Sequence, residues 1–350
     1  MSDVKRAAQA HTLHRVIGLD SIRAICAFWV IVGHLGSPPL GAWAESKTPV
    51  IVAFRGLYRN IWNGPAAVIV FFVISGFCIH YPNSHSLRIP SILEYFPRRY
   101  LRIGIPLIVA VMLSTLTGEN LSLFHDSILW SLLAELIYYT IYPFLLTWRR
   151  NGMEWKWVFA GSFAAALTLV VAVDPHVGNY ASYGVYCNWI LGLPCWILGC
   201  MLAERVSLNK PPLLRGVWRW RFFVWGLSVF FRIIRFHSPI GYPWTLNVFA
   251  IFVFFWLENE IAHYHAAKPS RFLEWAGKWS YSSYLIHLMG SQAYVYTLYR
   301  LHLSGFGSLD WPVAILFTLS VCYLFYLTIE LPGHYLARFI GKSLQRQRVD

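Results

Sequence analysis

The feature that most constrains this chain is a succession of long apolar stretches. A helix needs about 20 mostly apolar residues to cross a bilayer. Ten stretches approach or reach that length: 16–36, 66–82, 100–116, 128–147, 157–173, 184–203, 222–234, 243–258, 280–299 and 311–329. The seventh is short and is interrupted at Arg232. The runs are long and lack strict alternation, which disfavours a transmembrane barrel. The expected fold is therefore all-α: a polytopic integral membrane protein with about ten transmembrane helices. Composition agrees, because charged residues are 13% against about 25% in a typical soluble domain. With 57% apolar residues, a water-soluble fold would expose large apolar patches.

The charge pattern orients these stretches. Lys and Arg collect on cytoplasmic loops. With the N-terminus inside, 22 of the 29 basic residues fall on cytoplasmic segments. Six fall outside: Lys47, Arg55, Arg59, Arg232, Arg235 and Arg300. Arg23 lies within the first stretch. The basic residues Lys5, Arg6, Arg15, Arg88 and Arg348 belong to the inside set. Both termini are thus expected in the cytoplasm. This bias accounts for the net charge of +13, and no nucleic-acid partner is expected. The polar start, MSDVKRAAQAHTLHRV, has no signal-peptide cleavage signature, so the first stretch is expected to be a retained helix. The whole chain, 1–350, reads as one membrane unit with its core at about 16–335 and no separate soluble domain. Its six cysteines lie in or beside apolar stretches without a CxxC pair. They read as small buried hydrophobes rather than a disulfide or zinc framework, and no metal is expected.

Ionisable residues inside spans are costly and mark candidate functional positions. In GLDSIRAICAFWVIVGHLG, Arg23 and His34 are eleven residues apart, which leaves a net offset near 20° and puts them on one helix face. They are separated by about 16 Å along the axis. Asp20 is one turn before Arg23 and can pair with it. A structural pair and an interfacial histidine would satisfy the same pattern. Ser75 and Gly76 interrupt an aromatic run, where small residues allow close packing or ligand approach. Arg98, Arg99 and Arg102 cluster at the start of the third span. Clustered guanidiniums suit a phosphate-bearing ligand, and ordinary positive-inside anchoring would also place them there. Glu135 is a lone carboxylate in an apolar helix with no cation on that helix to balance it. Its partner must come from elsewhere, with Arg23 and His34 as candidates. His287 and Glu330 complete the set, either as functional groups or as satisfied structural ones. There is no Walker A pattern, no G-x-S-x-G elbow and no H-E-x-x-H.

Six motifs in order resemble those of the acyltransferase-3 family of membrane O-acyltransferases. LDSIRAICAFWVIVGH resembles LDGLRAIAALLVVLGH, and FFVISGF resembles FFVLSGF. RRYLRIGIP is similar to the family's RR-x-x-R segment followed by proline. LWSLLAE resembles LWSLSVE, GKWSYSSYLIH resembles G-x-x-SYSLYLIH, and TIELPGH resembles V-E-x-P. The resemblance covers about residues 16–335. Ser21 departs from the family's usual Gly, and Leu133–Ala134 from its Ser-Val. No fused esterase-like domain is expected.

The resemblance implies a ten-helix core in the bacterial inner (cytoplasmic) membrane. It also implies acyl transfer, most often acetyl transfer, from cytoplasmic acyl-CoA to a hydroxyl of an exported or cell-surface glycan. Acyl-CoA is then a co-substrate, and no permanently bound cofactor is implied. Carried over by motif, Arg98, Arg99 and Arg102 would bind the CoA phosphates. Arg23 would line the path of the pantetheine arm or polarise the thioester. His34 would act as general base, since an imidazole exchanges a proton near neutral pH. Glu135 or Asp20 would orient or charge-balance His34 or Arg23. Ser75, His287 and Glu330 would be secondary positions. Without the resemblance, buried Arg23, Glu135 and His34 would equally suit a transporter or exporter of a glycan or lipid-linked substrate.

Overall fold

A computed structural model describes residues 16–84, 91–118, 121 and 127–346. The basic residues Lys5, Arg6, Arg15, Arg88 and Arg348 lie outside the described residues. The described residues form helices and turns, with no strand among them. The helices are α1 (Leu19–Leu35), α2 (Pro49–Arg59), α3 (Gly64–His80), α4 (Ile92–Thr117), α5 (Trp130–Arg150), α6 (Trp155–Val173) and α7 (Asn188–Ser207). They continue as α8 (Val217–His237), α9 (Tyr242–Ala266), α10 (Arg271–Gly277), α11 (Ser280–Arg300), α12 (Asp310–Phe325) and α13 (Leu331–Arg346).

Each of the ten apolar stretches falls on a helix. Among the described residues, six segments are long and apolar enough to cross a membrane: Pro49–Asn83, Ile92–Thr117, Trp155–Val173, Asn188–Ser207, Tyr242–Ala266 and Gly307–Gly341. The helices outside that set include α1, which has only 17 residues. They also include α5, α8 and α11, which carry Glu135, Arg232 and a Ser/Tyr/His-rich face respectively. Three of these four, α1, α5 and α11, carry candidate site residues, whose polar side chains weaken the apolar signal.

Three helices lie beyond the ten stretches: α2, the short α10 and α13. Pro49 opens α2 in its first turn, where the missing N–H costs no helical bond, and none of the α2 residues is buried. After α12 the backbone widens into a π turn, Tyr326–Glu330, and continues as α13. Pro332 has no N–H to give the helical ladder, so a local change of winding falls at this point.

The centre of the molecule is α3, apolar on all sides and buried along most of its length. It packs on α7, α1 and α9. The closest approach is at Gly76 and Gly199. A Cβ on Gly76 would collide with the Trp196 carbonyl, and one on Gly199 with the Val73 carbonyl. Backbones touch here because neither residue has a side chain. On the other side, α10 packs across the start of α1. The Glu274 carboxylate accepts hydrogen bonds from the Ser21 amide (3.0 Å) and the Ser21 hydroxyl (2.7 Å). An anion at a helix N-terminus meets unpaired amides and the positive end of the dipole. Ser21, where the family pattern has Gly, thus ties α1 to α10. Finally, α13 lies along α4, and α11 contacts both α1 and α4.

Candidate functional site

Two cavities frame the candidate site, and the first, of about 510 Å³, is bordered by α1, α3, α4, α5, α11 and the π turn with α13. Five cations line it, Arg23, Arg99, Arg102, Lys278 and Arg338, together with the carboxyl groups of Asp20, Glu135 and Glu330. Helical spacing alone does not choose among the arginines of α4, because residue 102 lies about 40° from residue 98 and about 60° from residue 99 around the axis. The packing chooses: Arg99 and Arg102 line the cavity. Arg98 instead pairs with Glu94 on its own helix and packs against Gly341 of α13. The cluster of three guanidiniums is thus divided: two face inward and one braces α4 against α13.

Each inward group is held. Arg23 donates to Asp20 Oδ1 at 3.0 Å and lies 3.3 Å from Cys78 Sγ. Arg99 sits over the ring of Tyr139, 5.8 Å from its centroid. Arg102 Nε donates to His334 Nε2 at 3.2 Å. Glu330, at the end of the π turn, accepts from the Ser282 amide (3.1 Å) and hydroxyl (2.5 Å). Glu135 is balanced by hydroxyls rather than by Arg23 or His34. Ser75 Oγ donates to it at 2.6 Å, and the Tyr139 hydroxyl donates to the same oxygen. Such a carboxylate keeps its place without a salt bridge because each hydroxyl is itself fixed on a packed helix.

The second cavity, about 450 Å³, contains His34. Val30, Gly64, Pro65, Trp130, Tyr180 and Tyr242 contribute to its walls. Its wall against the first cavity is made by Val68 and Tyr284, which line both. Arg23 and His34 do share one face of α1, yet they open into different cavities. Arg23 therefore does not reach a group held at His34.

His34 Nδ1 lies 2.9 Å from Nε2 of His287. His287 is fully buried, and its Nδ1 faces the backbone carbonyls of Tyr284 (2.9 Å) and Ser283 (3.1 Å). Carbonyls only accept, so Nδ1 of His287 carries the hydrogen. In the neutral ring Nε2 is then an acceptor. His34 Nδ1 must supply the hydrogen between the two rings. The carbonyl of Val30, one turn earlier, is a further acceptor beside the His34 ring. This assignment leaves the lone pair of His34 on Nε2.

The motif residues are thereby sorted. Asp20, Arg23, Ser75, Arg99, Arg102, Glu135 and Glu330 meet in the first cavity, while His34 and its neighbour His287 meet at the second. Arg98 meets neither. Six participants were given no site role from sequence: Cys78, Tyr139, Lys278, Tyr284, His334 and Arg338. For two of them a signal existed, because Tyr139 is four residues after Glu135 and His334 four after Glu330, each on its partner's face. Among the described residues, no group of three His, Cys, Asp or Glu side chains is placed to hold a metal ion.

The fold and its paired cavities define an all-helical, multi-pass membrane protein with a cationic chamber on one side and an imidazole chamber on the other. A family model described as an acyltransferase domain, acyltransferase type 3, matches residues 16–327, and the chain belongs to that family. No curated protein and no solved structure matches the chain.

Proposed function

We propose that this membrane acyltransferase moves an acetyl group from cytoplasmic acetyl-CoA to a hydroxyl of an exported or cell-surface glycan, at the bacterial inner membrane. The observation that carries the reading is the back-to-back arrangement of a cationic cavity and a histidine cavity with a thin shared wall. A CoA nucleotide is too highly charged to cross a bilayer. Its long, less polar pantetheine arm can reach through a thin wall while the nucleotide stays behind. We take ten spans with both termini cytoplasmic as the topology, on the 22-to-6 distribution of basic residues. The first cavity then faces the cytoplasm and the second the outer side.

In this reading Arg99 and Arg102 bind the CoA phosphates, since guanidinium groups match phosphate oxygens in charge and geometry. Lys278 and Arg338 add to the field, and Arg98 contributes by bracing α4. Arg23, held by Asp20, lines the path of the arm. Glu135 and Ser75 shape the same chamber with Tyr139. Beyond the shared wall, in the second cavity, His34 Nε2 takes the proton of the acceptor hydroxyl as its oxygen attacks the thioester carbonyl carbon. The C–S bond breaks, and the proton on His34 passes to the departing thiolate. While His34 is cationic, its Nδ1–H remains donated to neutral His287, which holds the ring in place.

Radiolabelled acetyl-CoA supplied to inverted membrane vesicles tests the proposal. Label should enter a glycan fraction with wild-type protein and fail to do so with His34→Ala, at equal membrane insertion and CoA binding. Full labelling by a correctly inserted His34→Ala protein would sink the assignment of the base. If CoA binds neither protein, a transporter of glycan or lipid-linked substrate becomes the better account.

A further inference from the structure

Val68 and Tyr284 border both cavities, and their make-up limits what can pass from one to the other. Tyr284 of α11 is 7% exposed and Val68 of α3 is 6% exposed. The Tyr284 hydroxyl donates to the Ile128 carbonyl at 2.8 Å and lies 2.7 Å from Ser131 Oγ. Phe71 backs the ring edge-on, with centroids 6.2 Å apart at 67°. One aromatic ring, latched by its hydroxyl to the start of α5, therefore stands with an aliphatic side chain at the boundary of the two cavities.

We propose that Val68 and Tyr284 form the filter that selects the acyl group, admitting small uncharged acyl chains to His34 and rejecting larger or anionic ones. This rests on reading the first cavity as the donor site. A thioester arm advancing outward leads with its acyl end, so the acyl group meets the constriction before anything else does. Two neutral hydrogen bonds hold the ring shut, and both can be remade with Ser131 or with water once the arm has withdrawn. Size is set by the gap that opens between the ring and Val68. Charge is set by the surroundings. The constriction itself is apolar, and no Lys or Arg is among the described residues lining the second cavity. Arg232, the guanidinium that acts on His34 from nearby, is engaged by the Trp62 carbonyl. An acyl group ending in a carboxylate would therefore lose its hydration at the constriction with no counter-ion in the wall. The closed ring serves a second purpose, because an open channel of this kind would leak protons and ions across the membrane.

Cys78 lines the first cavity and is only half-buried, which makes it a native reporter. The other half-buried thiol, Cys187, is removed as Cys187→Ser. A membrane-impermeant anionic thiosulfonate is then applied to either face of oriented vesicles, and modification of Cys78 is followed by mass. With the wall intact, Cys78 reacts from one face only. In Tyr284→Ala it reacts from both. Tyr284→Phe, which keeps the ring and loses the latch, gives a smaller effect. In parallel, transfer is measured from acetyl-, butyryl- and succinyl-CoA. Val68→Ala should raise the butyryl-to-acetyl rate ratio at least about tenfold, the scale on which pockets discriminate by small apolar groups. Succinyl transfer should stay below butyryl transfer in every variant, since the two chains are alike in length and differ in charge.

Modification of Cys78 from both faces in the wild type would overturn the proposal. So would unchanged accessibility in both Tyr284→Ala and Val68→Ala. If the wild type transfers acyl groups and the chain-length ratio does not move, the filter alone falls. If the wall opens on mutation but the wild type transfers nothing from any CoA ester, the donor reading falls and the filter with it.

Discussion

His34 and His287 stack with ring centroids 5.0 Å apart and their planes 24° from parallel, joined by a 2.9 Å contact between Nδ1 and Nε2. The backbone of one helix thereby dictates which nitrogen of a second helix's histidine is basic. His287 gives its own hydrogen to the carbonyls of Ser283 and Tyr284 and can only accept from His34. Its expected contribution is positional.

His287→Ala should lower the transfer rate by about 10²-fold, the lower end of what a positioned proton-transfer group contributes, with donor affinity unchanged. His287→Gln retains an acceptor oxygen and should recover part of the loss. Measuring kcat alongside CoA affinity for both variants checks this. Equal rates for the two variants would show that the hydrogen bond is not what matters.

The arginines of α4 should separate by position. Arg99→Ala and Arg102→Ala should each weaken CoA binding by about 10-fold or more, as expected for loss of a charge-assisted hydrogen bond of roughly 1.5–3 kcal/mol. Arg98→Ala should leave affinity within about twofold, because surface ion pairs such as Arg98–Glu94 contribute roughly 0–1 kcal/mol. Binding of CoA to purified protein in detergent, repeated at low and high salt, distinguishes the three. Equal losses in all three would favour a diffuse surface field over an inward-facing pair.

Backbone contact between α3 and α7 should make Gly76→Ala and Gly199→Ala destabilising. Overpacking costs about 1–3 kcal/mol and more where backbone must move, and here the obstructing atoms are the carbonyls of Trp196 and Val73. Thermal unfolding in detergent should shift downward for both variants. Gly161→Ala, where an added Cβ meets nothing within 4 Å, is the matched control and should leave the transition unmoved.

Loss of the clamp on α1 should also be measurable. Glu274→Ala removes the acceptor for two hydrogen bonds from Ser21, a residue only 2% exposed. A cost of about 1–3 kcal/mol follows for hydrogen bonds to a charged group. Glu274→Gln keeps an acceptor oxygen and should cost less. A larger loss for Gln than for Ala in thermal unfolding would contradict this account.

The helices were legible in the sequence because lipid forces every backbone polar group to be satisfied within the segment that carries it. Each of the ten apolar stretches accordingly became a helix. The pairing of Asp20 with Arg23 followed from spacing alone. Glu135 shows where one-dimensional reasoning stops. Its lack of a cation on its own helix was visible, but its partners are hydroxyls, one of them on α3, and hydroxyls give no charge signal. The separation of Arg98 from Arg99 and Arg102 was not legible in helical periodicity, since residues 98 and 102 share a face; it depends on how α13 packs against α4. Likewise the meeting of His34 with His287 joins residues 253 apart, a relation no local pattern encodes. The short helix α2 and the continuation through α13 lay in segments whose polar residues mask an amphipathic pattern.

The contact at Gly76 and Gly199 lies one residue from Ser75 and so adjoins the wall of the first cavity. Two backbones already touching cannot draw closer, and parting them would leave a void that neither lipid nor side chain fills. That edge of the chamber is a fixed abutment. Descendants of this chain that came to accept a bulkier donor would have had to carve room from side chains at the opposite rim, because at this point the scaffold itself does not breathe.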